Sequence, residues 1–262
     1  MKKTILNLAI LGSLVVASNA VMAVDANCIG LPSQSQLHDQ LVAAKNIAGG
    51  NGGFGLNMWG TVVNRDGIVC AVAFTGADRG DQWPGSRVIS AQKANTANSF
   101  SLPSLVLSTA NLYTAVQAGG TLFGLQESNP VDVTTAYQGP SSDYGTESDP
   151  LVDNKVGGVN VFGGGLALYD NTGKLVGAIG VSGDSSCADH NIAWETRHGL
   201  GFDFVPGGVN VDPLRPDNII YDIKSQEGQM PGISKSGWGH PICSTTAKLI
   251  SKTLPVVSIV SK

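Results

Sequence analysis

Two short motifs in this chain bring sulfur and imidazole together. One is Cys187-Ala-Asp-His190 and the other is His240-Pro-Ile-Cys243. Two thiolates and two imidazoles are a sufficient tetrahedral set for zinc, although the spacing is not that of a familiar finger. The same two cysteines can instead join as a disulfide, which would draw His190 and His240 toward each other. The pair would then suit iron ligation or proton transfer. Next to His190 stands Asp189, so the two could also serve as an acid and a base. Lys93 is the other residue of note. It is the one charge after Arg87 in an uncharged helical run of Ala, Gln, Asn and Thr. Either cation could meet a carboxylate on a ligand, and the competing readings of Lys93 are an ordinary surface lysine or one whose stem covers the sheet. His38 beside Asp39 and His198 at a helix C-terminus carry no sharp signal.

Other motifs fail on context. Gly163-Gly164-Gly165 precedes a strand, so it offers no helix N-terminus to a phosphate. Gly180-Val181-Ser182-Gly183-Asp184 lacks the last glycine of a nucleophile elbow, and Ser182 reads better as part of a tight turn.

The cysteine argument depends on compartment. Residues 1–23 read as a secretory signal peptide: Lys2 and Lys3, a short apolar stretch, then Val21-Met22-Ala23 at a cleavage site. Export to the periplasm or the medium follows, with no membrane insertion after cleavage. Four cysteines in an oxidising compartment favour two disulfides, with three possible pairings. The favoured pairs are Cys28–Cys70, tying the N-terminal arm to the sheet, and Cys187–Cys243, clipping the tail.

Composition narrows the classes. The chain has 262 residues, 42% hydrophobic and only 14% charged. That apolar content excludes disorder, and the scarcity of charge excludes a coiled coil. A formal charge of −4, without any basic run, argues against nucleic acid. The 34 glycines predict many tight turns and close backbone contacts.

Periodicity supplies the elements that must position these residues. Helices are expected at 36–48, 87–99 and 184–200, and another from Pro103 through Val116. Two hairpins are expected, one around Arg65-Asp66-Gly67 and one around Asn171-Thr172-Gly173. Residues 159–162 and 217–223 are strand-like. Between the two halves, 124–158 reads as a long loop or insertion, a candidate lid. Residues 24–205 would form the domain and 206–262 a loop-rich extension packed on it. Hairpins without a βαβ repeat imply an α+β fold with an antiparallel sheet covered by helices.

Three blocks together resemble the GlcG/HbpS family, which includes the C-terminal domain of the PduO type. They are Ala71-Val72-Ala73-Phe74-Thr75-Gly76-Ala77-Asp78-Arg79, the Ser90–Ala97 run with Phe100, and Gly163–Tyr169 continuing through Gly177–Gly183. The resemblance implies a profilin-like, five-stranded antiparallel sheet. It implies homo-oligomers, with haem (a tetrapyrrole) held non-covalently near a subunit boundary. On that reading His190 and then His240 are the iron-ligand candidates, and Lys93 and Arg87 the propionate candidates. The leading function is an exported haem-binding protein for sequestration, sensing or turnover. A small-molecule enzyme using Asp189 and His190, with 124–158 as lid, is the second. A structural, oligomer-forming module is the third.

Overall fold

The structure is a computed structural model that describes residues 28–226, 229–258 and 260. The leader, residues 1–23, lies outside the described residues. Helix α1 (Gln34–Lys45) opens with a capping box, in which Ser33 and Gln36 satisfy each other's backbone N–H groups. Strands β1 (Trp59–Asn64) and β2 (Val69–Phe74) form the first hairpin. Gly67 at φ 76° supplies the left-handed position of its turn. Helix α2 (Ser86–Phe100) follows, then a one-turn helix α3 (Val133–Ala136). The second hairpin is β3 (Gly165–Tyr169) and β4 (Leu175–Ser182). Helix α4 (Ser186–Leu200) ends at Gly201 in the left-handed conformation. A small hairpin, β5 (Ile223–Gln226) and β6 (Gln229–Ser234), precedes α5 (Thr245–Ser251). Among the described residues no helix is long and apolar enough to cross a membrane.

The main sheet has four strands in the order β2-β1-β4-β3, all antiparallel. The expected fifth strand is not part of it. Residues 159–162 are not in a strand, and β5 and β6 pair only with each other. Helices cover both faces. Leu37 and Leu41 of α1, with Ile192 and Ala193 of α4, pack on Val62, Leu166 and Ile179. Val88, Ala91 and Ala94 of α2 pack on Trp59, Val63 and Ala178 across the sheet.

One further expectation is corrected. No α-helix runs from Pro103 to Val116. That stretch holds 3-10 turns at Thr109–Leu112 and Thr114–Val116. Buried Ser108 and Asn111 bond each other and the local backbone, which competes with helical pairing. The 124–158 stretch is irregular but packed. It places Ala136, Leu151 and Val156 in the core beneath α2, and its Val152 bridges Val69 of β2 while Lys155 bridges Ile68 just before that strand.

Both favoured disulfides are formed, Cys28–Cys70 and Cys187–Cys243. The thiols of the CxxH and HxxC motifs therefore bond each other, and the zinc reading gives way to the bridge.

The approach of α2 to β4 depends on a residue without a side chain. A Cβ on Gly180 would collide with the backbone of Ser90 and Ala94. Gly180→Ala is expected to cost about 1–3 kcal/mol of stability by pushing α2 off the sheet. Urea denaturation measures it, and an unchanged midpoint would refute the close-contact account.

Candidate functional site

The chemically active residues gather where β4 hands over to α4. Lys93 reaches from α2 through the core. Its Nζ donates to Asp189 Oδ2 at 2.7 Å and to the carbonyl of Val181 at 3.0 Å. Asp189 also accepts the backbone N–H of Asp184, which holds the helix start in place. Both side chains are buried. Burial lowers the Lys93 pKa against the pull of its partner, and burial raises Asp189 to about 6. Lys93 is thus a buried ion-pair partner, not the surface lysine of the competing reading.

His190 is fully buried on the next position of α4. Its Nε2 lies 3.1 Å from Asn218 Oδ1, which also accepts the N–H of Ile219 at 2.8 Å. The N–H of Ile219 also points at Nε2, at 3.1 Å, so this nitrogen faces one acceptor and one donor, while Nδ1 has no hydrogen-bond partner. His240 is also buried. Pro241 carbonyl can only accept, so His240 Nδ1–H donates to it at 2.7 Å. Its Nε2 then accepts from Ser186 Oγ at 2.7 Å, and that oxygen accepts the N–H of Gly163. The Cys187–Cys243 bridge holds this arrangement closed.

Arg87 lies away from the cluster, at the start of α2. It forks onto Asp149, donates to the carbonyl of Ala136 and stacks on Tyr144 with its guanidinium 3.6 Å from the ring centre. The structure therefore brings Lys93, His190 and His240 together and leaves Arg87 apart. Each cation already has an internal carboxylate, and neither imidazole lines a described cleft. Asp189 and His190 are neighbours in sequence with separate partners. Ser182, at the end of β4, is buried and paired with Trp59 in the ladder.

Sequence reasoning passed over Arg197 and Asp217. They form a buried bidentate pair at 2.6 and 3.0 Å, beside the Trp194 ring. Asp184 was passed over as anything but a cap. Its carboxylate accepts the N–H groups of Phe54, Leu56 and Ser185 and forms a wall of a polar cleft of about 540 Å³ with the glycine-rich 49–55 loop. A second cleft of about 620 Å³ lies wholly within the C-terminal extension.

Residues 34–197 match the family described as haem degrading protein HbpS-like. The chain belongs to the HbpS-like family. The matched span runs from α1 into α4, so the second cleft falls outside it. Three solved structures are similar. A PduOC–haem complex is 21% identical with a TM-score of 0.43, covering 63% of this chain and 89% of that one. The Klebsiella pneumoniae protein ORFY is 22% identical at 0.41, with coverages of 64% and 90%. HbpS is 19% identical at 0.39, with coverages of 64% and 86%. No curated protein matches the chain.

Two predictions follow from the sealed cluster. Asp189→Ala leaves Lys93 buried without its partner and is expected to cost about 3–5 kcal/mol, whereas Lys93→Met with Asp189→Leu recovers most of the loss. Chemical denaturation compares them, and equal losses would contradict the ion-pair account. The second concerns pH. Burial lowers the pKa of His190 to about 3 and of His240 to about 4, below the usual 6.5. The unfolded chain takes up these protons first, so these two groups reduce stability as pH falls from 6.5 toward 4. Asp189, raised to about 6, acts in the opposite sense. His240→Gln is expected to flatten the stability slope in that window by about one proton, or about 1.4 kcal/mol per pH unit. An identical slope would mean that His240 is protonated in the fold.

Proposed function

We propose that this chain is an exported haem-binding protein that holds the tetrapyrrole non-covalently, for sequestration, sensing or turnover. The observation that carries the reading is the family match over residues 34–197. Two disulfides among the described residues support export, since such bridges persist in oxidising compartments. Removal of residues 1–23 and assembly into a homo-oligomer belong to the same proposal.

The second cleft, with an apolar wall and three lysines, is the described cleft that fits a haem held by apolar contact and charge. No imidazole is presented to the iron in this arrangement. The nitrogen of His190 that faces the extension is covered by Asn218 and Ile219. That segment is pinned by Arg197–Asp217 and by Asn218 Nδ2 donating to the carbonyl of Ser251. His240 has partners on both ring nitrogens. Ligation by either would require its covering residues to withdraw. Bound haem would supply the redox and ligand chemistry of its iron. The protein's part is to exclude water and to orient the ring. No observation in the structure favours the small-molecule enzyme over this reading.

The test is a hemin titration of the mature chain from Val24, produced in an oxidising compartment. A saturable, shifted Soret band with about one hemin per subunit is expected, and light scattering reads the assembly state. A spectrum of free or loosely adsorbed hemin would overturn the reading.

A further inference from the structure

The second cleft lies between the 209–212 loop, the 218–222 segment and the exposed side of α5. Its lining is mainly apolar, with Val209, Val211, Ile219 and Ile220 contributing. Three lysines, Lys235, Lys248 and Lys252, line it too. None of the three makes a salt bridge to a described carboxylate. The two aspartates beside them are already engaged. Asp212 pairs with Arg215 at 2.8 Å, and Asp222 accepts from Ser234 Oγ and from the N–H of Ser236. Asp222 keeps its own negative charge, and the three lysines still leave the cleft net positive in a chain whose net charge is −4. Tyr221 lines the same cleft and packs against the buried cluster of Ala110, Cys187, Ile219 and Ala247.

We infer that this cleft, built entirely by the C-terminal extension, binds a flat or compact apolar molecule bearing carboxylates, with Lys235, Lys248 and Lys252 recognising the carboxylates. If the proposed function holds, the dicarboxylate edge of the tetrapyrrole is that ligand, and the inference rests on that reading. The volume suits such a plate, since small-molecule sites run to about 300–1,000 Å³. Three lysines around an open mouth suit mobile carboxylates, because each ammonium is a point charge on a flexible stem. No histidine lines the cleft, so recognition here is independent of iron.

The experiment titrates wild-type protein, Lys235→Ala/Lys248→Ala/Lys252→Ala and Val211→Asp with three probes. These are hemin, iron-free protoporphyrin IX and its dimethyl ester. Val211 is almost fully exposed, so a carboxylate there opposes the ligand without disturbing the core. The inference expects hemin and protoporphyrin to bind wild type alike and the dimethyl ester to bind at least tenfold more weakly. It expects both variants to bind hemin roughly tenfold more weakly, with the wild-type deficit for the ester lost in the triple variant. Wild type and variants binding hemin equally would overturn this site and leave the haem-binding reading standing. Failure of wild type to bind hemin at all would overturn both.

Discussion

The buried pair of Lys93 and Asp189 fixes the centre of the molecule. It joins α2 on one face of the sheet to α4 on the other, past the end of β4. Two charges out of water are costly, and each therefore needs further partners. Lys93 finds the carbonyl of Val181, and Asp189 finds the N–H of Asp184. Those bonds set the last residue pair of β4 and the first turn of α4. The glycines at 163–165 are the consequence. A Cβ on Gly164 would press on Lys93 Nζ and Asp189, one on Gly165 on the backbone of Lys93, and one on Gly163 on Ser186 and His190. The run is a packing device that lets the chain pass beside the ion pair.

Helix α4 then carries the C-terminal extension. Its sheet-facing side supplies Ile192 and Ala193, while its other contacts tie down the tail. Cys187 bridges to Cys243, Asn191 donates to the carbonyl of Ala247, Trp194 to that of Pro255, and Arg197 grips Asp217. These attachments recur along the whole helix, so the tail is continuous with the body. Leu254 joins the main core as a result.

The parts legible in the sequence are those decided locally. Asp66-Gly67 and Asn171-Thr172-Gly173 marked both hairpins, and the helices at α2 and α4 lie within two residues of expectation at either end. An even cysteine count favoured two bridges, and of the three possible pairings the favoured one is formed. What stayed hidden was decided by distant partners. The isolation of Lys93 suggested a carboxylate on a ligand, because its internal partner stands 96 positions away. Arg87 likewise looked available for a ligand because Asp149 lies in a stretch with no periodicity. The Pro103–Val116 run had helical spacing, yet its buried Ser108 and Asn111 prefer each other. Spacing reports which face is apolar, and polar side chains that enter the core do so on terms set elsewhere.

The distribution of cations separates support from recognition. Arg87, Lys93 and Arg197 are all buried, and each is matched by one aspartate: Asp149, Asp189 and Asp217. A matched buried cation has little left to offer a ligand, because taking its carboxylate away exposes a charge that the interior cannot solvate. Cations free to recognise an anion must keep their water until it arrives, and so must sit at a surface without a partner. In this chain the basic residues inside the family-matched span include the matched, structural ones at its centre. The lysines around the extension's cleft have no such duty. The same logic applies to the imidazoles: His190 and His240, held neutral and enclosed, serve the join between α4 and the tail.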